Sequence, residues 1–429
     1  MQVLTTPLRT RGAPPRVRPV PLMVAADPAS SSHFWVVLIL LLSVCNLPVL
    51  AFLNARGMVA SSAMVGVAEA LAFALCIAVQ MRRLPPRTLA LALAVFSWIV
   101  LTWLVRQRPD VKSLRDLLIP ILFLSLGRQV ADSAFAERCL RGITALVVVV
   151  ALFEVLFTDT YGTLFNTFSF YANLGSISES SAMFSGQTLT LNGYRPEGIG
   201  RTLLPALLGS HRTSSLFLEP VSLGNFAAIV FAWVLSRDWK DMGRHSLLLG
   251  LAALLLIVLS DSRFGMLVVA LLLGYRLLPM PAFRWAAPVF PFVLFGAILV
   301  VGWFVPVLGD NVLGRIAMSG RALLAFDAPR LMGIDIRLPM YGDMGYAYVL
   351  SRFGALLVMG LLLLLFLMPC TGERAQRLRA LLVLYCFSSL AISGTSVFAL
   401  KTAGLMWFLL GALAADPRLK PRRLKRGFS

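Results

Sequence analysis

The sequence predicts an all-α integral membrane protein of about twelve transmembrane helices with two long extracytoplasmic loops. Of its 429 residues, 58% are hydrophobic and only 14% are charged, whereas soluble domains carry about 25% charged residues. Apolar runs of about 20 residues, the length that a helix needs to cross the hydrocarbon core, recur from Phe34 to Ala414. Lys and Arg cluster between these runs, as they do where positive charge sets the orientation of membrane helices.

Twelve apolar runs define the predicted helices. The first begins at Phe34, and its apolar stretch is too long, and too poor in a small-residue cleavage site, for a removable signal peptide. The fourth is the weakest because it contains Asp116 and Pro120, so a re-entrant segment is an alternative there. The predicted spans are 34–54, 58–81, 88–105, 114–131, 142–158, 213–235, 246–260, 264–278, 286–306, 344–368, 380–396 and 398–414.

The distribution of basic residues predicts that both termini are cytoplasmic, because most Lys and Arg then face the inside. Three regions follow: a disordered cytoplasmic N-terminal arm (1–33), a polytopic membrane domain (34–414) and a basic cytoplasmic tail (415–429). The extracytoplasmic loops lie at about 159–212 and 307–343. Long loops in a compact protein are usually functional, so we expect the site in these loops.

Several classes of protein are disfavoured. The net charge of +19 is divided among short clusters, which suits membrane lipids better than nucleic acid. The five cysteines lie in or beside apolar runs and predict no disulfide, and the three histidines are too scattered for a metal site. Without a P-loop or a Gly-rich dinucleotide motif, we expect neither a cofactor nor ATP-driven transport.

Arginine is common in the predicted outer loops, against the general trend of positive charge inside. A guanidinium binds phosphate oxygens in pairs, so these residues suit an anionic ligand at the outer membrane surface. The alternative is that they are solvated loop residues. They are Arg195, Arg201 and Arg212 in the first loop, and Arg315, Arg321, Arg330 and Arg337 in the second.

The segment from His211 to Gly224 carries the most specific pattern. Proline is favoured in the first turn of a helix, so a helix that begins near Glu219 would direct its free N–H groups toward Arg212 and form an anion site. If the helix instead begins at Thr213, Pro220 kinks it and Arg212 forms a structural pair with Glu219.

Two further polar segments adjoin predicted helices. Ser260–Gly265 is a tight turn in which Arg263 could reach the same anion as Arg212, or could pair with Asp261. Asp343, at the start of the tenth span, could act as a general base toward a sugar hydroxyl or could cap the helix. Glu69 and Glu154 lie inside spans and are predicted to be paired packing residues.

The stretch from Arg212 to Gly224, the Ser262-Arg263 pair that opens the next span and the two long outer loops resemble the Wzy-type polysaccharide polymerase and O-antigen ligase superfamily, in particular the xanthan-type polymerases. The resemblance implies that a glycan linked to undecaprenyl diphosphate is joined to another lipid-linked repeat at the periplasmic face of the bacterial inner membrane. It implies diphosphate contacts by Arg212 and Arg263, with Glu219 beside them.

The same resemblance implies partners that control chain length and export. Many of the ligases carry a catalytic histidine in the second large loop, and this chain has none between Val307 and Asp343. The ligase interpretation is therefore weaker, and the general base is open, with Asp343 near the place where that histidine would lie.

We therefore predict an exopolysaccharide polymerase, a metal-independent glycosyltransferase that uses a polyprenyl diphosphate as leaving group. Arginines would stabilise the developing diphosphate charge, and Asp343 or Glu219 would accept the proton of the acceptor hydroxyl. A lipid-linked oligosaccharide flippase, a ligase and a non-catalytic scaffold are the alternatives. The predicted diphosphate ligands are Arg212, Arg263, Arg195, Arg201, Arg321 and Arg337.

Overall fold

The computed structural model describes residues 28–81, 84–176, 188–189, 201–306, 311–370, 372–392 and 394–419, and within these ranges it is helical with no β-strand. The helices are α1 (Pro28–Asn54), α2 (Ser62–Gln80), α3 (Pro86–Arg106), α4 (Val111–Val130), α5 (Ser133–Leu156), α6 (Thr158–Phe165), α7 (Thr167–Asn173), α8 (Pro205–Leu208), α9 (Pro220–Leu235), α10 (Arg244–Ser260), α11 (Arg263–Arg276), α12 (Met280–Phe304), α13 (Val312–Leu324), α14 (Ala328–Leu331), α15 (Gly345–Leu367), α16 (Glu373–Ile392) and α17 (Leu400–Ala415).

Each of the twelve predicted spans coincides with a helix. By length and composition, seven helices in the described residues can cross a membrane: α2, α3, α5, α15, α16, His33–Asn54 of α1 and Trp285–Phe304 of α12. Helices α9, α10 and α17 are apolar but have only 16 or 17 residues. The all-α class and its membrane-type helices are therefore confirmed, whereas a total of twelve spans stays a prediction.

Several helices begin earlier than predicted, most clearly α1, α5, α12 and α16. Helix α1 starts at Pro28, inside the predicted arm of 1–33, and residues 1–27 lie outside the described part of the chain. Proline suits a first helical turn because it has no N–H to leave unpaired. Helices α5 and α16 extend beyond their apolar runs because their polar first turns are held by side chains.

The polar turns of α5 and α16 meet at one end of the molecule. The Asp132 carboxylate caps α5 by accepting the N–H groups of Ala134 and Phe135. Arg377 of α16 pairs with Asp238. These contacts offset the loss of hydration of the charged groups. The predicted tail, 415–429, begins with a helical turn at Pro417–Leu419, and residues 420–429 lie outside the described part.

Helix α4 is one continuous helix, Val111–Val130, and it packs against α17 in the interior. A Cβ atom added at Gly127 would lie 2.1 Å from the Phe408 carbonyl oxygen, and one at Gly411 would lie 2.2 Å from the Leu124 carbonyl oxygen. The two backbones therefore approach each other closely, as small residues allow in helical membrane proteins. The least apolar predicted span is thus central, because its polar groups find protein partners there.

The second predicted outer loop, about 307–343, contains two helices, α13 and α14. Helix α13 packs against α12, where a Cβ atom added at Gly302 would meet the Gly320 backbone at 2.4 Å. After α14, the chain lies against a break in α15 at Gly354, whose φ of 78° is left-handed. The buried guanidinium of Arg106 donates to the carbonyls of Gly333 and Ser351, which holds this segment against α3.

Candidate functional site

Polar side chains gather where α2, α4, α9, α15 and α17 begin, at one end of the molecule. Asp110, before α4, pairs with Arg352 of α15 at 3.0 Å, and Asn54, at the end of α1, bonds Asn173 of α7 at 2.8 Å. The outer segments predicted from sequence therefore meet the same ends of the helices. Helix N-termini carry free N–H groups and positive partial charge, which favours anions at this end.

Glu219 lies at the start of α9, as the first of the two sequence alternatives predicts. The helix begins at Pro220, and Glu219 is its extended N-cap residue, with φ −143° and ψ 126°. One Glu219 oxygen, Oε2, accepts the Ser222 hydroxyl at 2.8 Å and Lys401 Nζ at 2.9 Å. The carboxylate is therefore fixed at the end of a helix, with 35% of its side chain exposed.

Lys401 is a site residue that the sequence prediction missed. It lies in the first turn of α17 with only 7% of its side chain exposed, and its Nζ also donates to the Phe217 carbonyl at 2.9 Å. It thus joins α17 to the segment before α9. The available signal was its place in an apolar run, because a buried ionisable residue in such a run needs a partner.

Glu154, near the end of α5, organises the segment from His211 to Ser215. The fully buried carboxylate accepts the N–H groups of Ser214 at 2.9 Å and Ser215 at 2.5 Å, and the Ser214 hydroxyl at 3.0 Å. His211 Nε2 lies 2.9 Å from Glu154 Oε1. Glu154 is therefore paired, as predicted. Its contacts fix the backbone of the segment that contains Arg212.

Arg212 and Arg263 both lie beside the turn between α10 and α11: Arg212, in the segment before α9, contacts the last residue of α10, and Arg263 is the first residue of α11. Arg212 Nε donates to the Ser260 carbonyl at 3.2 Å, and Arg263 Nε donates to the Thr202 hydroxyl at 3.2 Å. The turn packs on α9, where a Cβ atom added at Gly224 would lie 2.3 Å from Ser262 Oγ. The two arginines therefore adjoin the same turn, which packs on α9, although 51 positions separate them in the chain.

Asp261 anchors the end of the first outer segment. Its carboxylate accepts the N–H groups of Thr202 and Leu203 at 3.0 and 2.9 Å, and its own φ is 46°. These contacts place Thr202 next to Arg263. The sequence analysis offered a pair of Asp261 with Arg263 as an alternative. In the structure the Asp261 carboxylate instead holds the loop at Thr202 and Leu203.

Arg201 and the other predicted arginines differ in their surroundings. Arg201 is buried, and its guanidinium donates to the carbonyls of Leu203, His211, Val258 and Leu259, which holds the loop on the C-terminal end of α10. Arg201 is therefore a structural cation that stabilises the C-terminal end of a helix. Arg195 lies outside the described residues.

Arg321 and Arg337 lie in the second outer segment, away from the turn that carries Arg212. Arg321 Nη2 donates to the Val305 carbonyl at the end of α12, at 3.2 Å. The Arg337 side chain is 80% exposed beside Asp335. The Arg337 N–H, together with the Arg330 side chain, lowers the pKa of Asp335 below its usual range. Neither arginine is shown to share a site with Arg212.

Asp343 precedes α15 but does not cap it, because the N-cap residue is Met344 and no side chain caps it. The capping alternative is therefore wrong. Asp343 Oδ2 instead pairs with Arg315 of α13 at 2.9 Å, and the Asp343 side chain is 58% exposed. A Cβ atom added at Gly394 would lie 2.8 Å from the Asp343 Cα atom, so this carboxylate lies on the segment that leads into α17 and Lys401.

A second charged cluster lies deeper between the helices. Arg115 of α4 contacts Glu69 of α2 at 3.1 Å and Asp116 at 2.7 Å, and Asp116 accepts the Tyr348 hydroxyl at 2.8 Å. Lys112 lies 4.9 Å from the centre of the Tyr348 ring. Glu69 is paired, as predicted, while Arg115 and Tyr348 were not singled out from the sequence.

Tyr171 of α7 faces Glu219 from the first outer segment. Burial, and then the nearby Glu219 carboxylate, raise the pKa of Tyr171 well above its usual range. The phenol therefore stays protonated at neutral pH. It is a neutral neighbour of the carboxylate.

Comparisons of the chain with models of protein families, with curated proteins and with solved structures found no match. The class of protein is therefore defined by the fold and the site alone: an all-helical protein with membrane-type helices and a charged cluster where several helices begin. At these helix starts Lys401 pairs with Glu219 and Arg315 pairs with Asp343, and Arg212 and Arg263 lie beside the α10–α11 turn. Among the described residues, no group of three His, Cys, Asp or Glu side chains is arranged to hold a metal ion.

Proposed function

We propose that this chain is an exopolysaccharide polymerase that joins undecaprenyl diphosphate-linked oligosaccharide repeat units at the periplasmic face of the bacterial inner membrane. The observation that supports it best is that Arg212 and Arg263 both adjoin the turn between α10 and α11, and that this turn packs on α9, the helix that begins directly after Glu219. Two guanidinium groups at a helix N-terminus suit a diphosphate. The apolar helices beside them suit its lipid.

The reaction is a single displacement. The acceptor hydroxyl oxygen forms a bond to the anomeric carbon of the donor sugar, the bond from that carbon to the diphosphate oxygen breaks, and the diphosphate takes the electron pair. Arg212 and Arg263 stabilise the charge that develops on the leaving group. The configuration at the anomeric carbon inverts, and the free energy stored in the diphosphate linkage drives the transfer.

The general base is Asp343 or Glu219. Asp343 is more than half exposed and engages Arg315 through one oxygen, so it is the more accessible to a sugar hydroxyl. Glu219 already accepts two hydrogen bonds on Oε2 and is better suited to position Lys401 near the diphosphate. We therefore assign the proton transfer to Asp343 and the positioning role to Glu219.

Reconstitution of the full chain with purified lipid-linked repeat units tests the proposal. Wild-type protein is expected to make long glycans without added nucleotide or divalent metal, and Arg212→Ala to lose about 100-fold or more in rate, the usual cost of removing a group that stabilises developing charge. Arg244→Ala removes an exposed arginine at the start of α10 and is the matched control, with wild-type rate expected. Equal rates for Arg212→Ala and Arg244→Ala would contradict the assignment of Arg212.

A flippase is the second candidate, because Arg115, Glu69 and Asp116 form a charged cluster between helices. Such residues in membrane helices often mark a transport path. The same vesicles distinguish the two functions: movement of the lipid-linked repeat across the bilayer without chain extension would replace the polymerase proposal. A ligase would use the same chemistry but transfer the glycan to a different acceptor, so chain extension on the lipid-linked repeat itself distinguishes the polymerase.

A further inference from the structure

A long apolar groove lies between α4 and α15, with α16 and α17 at its base. Its volume is about 800 Å³, within the range of about 300–1,000 Å³ that is typical of small-molecule sites. Leu117, Leu124, Phe353 and Trp407 are among its lining residues. Arg212, Arg263, Glu219, Lys401 and Asp343 do not line it, so it is separate from the candidate site.

Cationic side chains line this groove at one end only. Arg87, Arg128 and Arg379 lie where α3 begins and α15 ends, whereas Tyr346 and Phe398 lie at the opposite end. The lining runs from Leu117 to Arg128 on α4 and from Arg379 to Leu390 on α16, a rise of about 16 Å on each helix. That length is about half of a hydrocarbon core of about 30 Å, which is the depth of one leaflet.

Polar atoms in the groove are buried without a partner in the described part of the chain. They are Arg128 Nη1, Ser125 Oγ one turn away and Tyr346 Oη at the other end. The Ser125 and Tyr346 residues are 5% and 6% exposed. A buried guanidinium N–H that lacks an acceptor is costly, so its presence points to a ligand oxygen.

Arg379, in contrast to Arg128, has hydrogen-bond acceptors within the protein. Its Nη1 donates to the carbonyls of Leu365, Phe366 and Met368, which holds the end of α15. Arg128 is therefore the cation at this end whose buried donor is directed to the groove, and Arg87, which is exposed, adds positive charge at the rim.

We propose that the groove binds one acidic phospholipid, whose phosphate accepts hydrogen bonds from Arg128 and whose acyl chain lies along α4 and α15. Charge at a single end, an apolar body and the depth of one leaflet match an anionic amphiphile from the leaflet on the arginine side. A polyprenyl diphosphate engaged at Arg212 has its phosphates at the opposite end of the helices, so the arginines here would have no role in its binding. The inference does not depend on the proposed enzymatic function.

Native mass spectrometry of the full chain in detergent tests the proposal, with phosphatidylglycerol, phosphatidylethanolamine and undecaprenyl phosphate added separately. Wild-type protein is expected to retain phosphatidylglycerol in preference to phosphatidylethanolamine. Arg128→Ala is expected to bind phosphatidylglycerol about tenfold more weakly, since a hydrogen bond to a charged group is lost. Arg244→Ala, which removes an exposed arginine outside the groove, is expected to bind like the wild type.

Ala355→Trp provides a test that keeps Arg128. Ala355 lines the groove, so an indole there would occupy the space of the acyl chain and should also weaken phosphatidylglycerol binding. Unchanged phosphatidylglycerol binding in Arg128→Ala or in Ala355→Trp would overturn the proposal. Preferential retention of undecaprenyl phosphate that is insensitive to Arg128→Ala would overturn it as well, in favour of a groove for the polyprenyl chain.

Discussion

Individual charged residues near the start of α9 and α17 derive their roles from partners that are distant in the chain. Glu219 and Lys401 are 182 positions apart, and Lys401 also binds the carbonyl of Phe217. A half-buried carboxylate and a buried ammonium group stabilise each other only while both are present, because either one alone is left poorly solvated. The pair therefore couples the geometry of the site to the packing of α17.

Lys401→Met is expected to lower stability by about 1–3 kcal/mol and to reduce glycan synthesis, because Glu219 and the Phe217 carbonyl lose a charged partner. Thermal unfolding in detergent and the reconstituted polymerase assay measure the two effects. Lys240→Met, at an exposed position between α9 and α10, is the matched control and should change neither.

A double-mutant cycle with Glu219→Gln separates stability from function. Removing both charges should recover part of the lost stability, since no unpaired charge remains. Activity should not recover, because the site still lacks its cation. Single Lys401→Met protein that unfolds at the wild-type temperature would show that the ion pair contributes nothing.

At the scale of elements, the break in α15 connects the second outer segment to the interior. Gly354 has φ 78° and ψ 149°, a backbone conformation that is almost restricted to glycine. The Met332 carbonyl oxygen would lie 2.4 Å from a Cβ atom at this position. Arg106 binds the carbonyls of Gly333, Ser351 and Arg352, so α3 supports both sides of the contact.

Gly354→Ala is expected to destabilise the protein by at least about 1–3 kcal/mol, the cost of forcing a side chain into this backbone conformation, with the close contact adding to it. Gly360→Ala on the same helix is the matched control, since a Cβ atom there has no neighbour within 4 Å and alanine favours helix. Thermal unfolding measures both variants. A Gly354→Ala protein as stable as Gly360→Ala would mean that the break can straighten without loss.

At the scale of the whole molecule, charged residues lie at two opposite ends. The predicted outer segments and the helix starts with Glu219 and Lys401 are at one end. The ion pairs Arg377–Asp238 and Arg237–Glu137 are at the other. This separation agrees with the charge bias in the loops that predicts cytoplasmic termini. Orientation in a membrane can therefore be tested at two exposed positions on opposite ends.

Cysteines introduced at Leu207 and Lys240 should react differently with a membrane-impermeant maleimide. Leu207 is 77% exposed in the first outer segment, and Lys240 is exposed between α9 and α10. Once the outer membrane is permeabilised, Leu207→Cys is expected to be labelled in cells with an intact inner membrane, and Lys240→Cys only after that membrane is lysed. The parent chain, whose own cysteines are buried or partly buried, provides the background. The reverse pattern would invert the topology and exclude periplasmic chemistry at Arg212.

The length of the apolar runs by itself predicted the helical class and the approximate positions of twelve helices in the described part of the chain, because apolar runs of this length have few other stable forms in a membrane. Local chain chemistry favoured one of two predicted starts of α9, the observed one at Pro220, since proline restricts the residue before it. The sequence also identified Arg212 and Arg263 as candidates for the diphosphate, a role that stays a prediction.

Only the tertiary structure decided which charges share a site. Arg201 was predicted as a diphosphate ligand together with Arg212, yet its guanidinium donates to the carbonyls of His211, Val258 and Leu259. Lys401 looked like one residue of an apolar run, yet it binds Glu219. The physical reason is that ion pairs and hydrogen bonds to carbonyl groups act over about 3 Å. The number of residues between two segments does not indicate whether they lie that close in space.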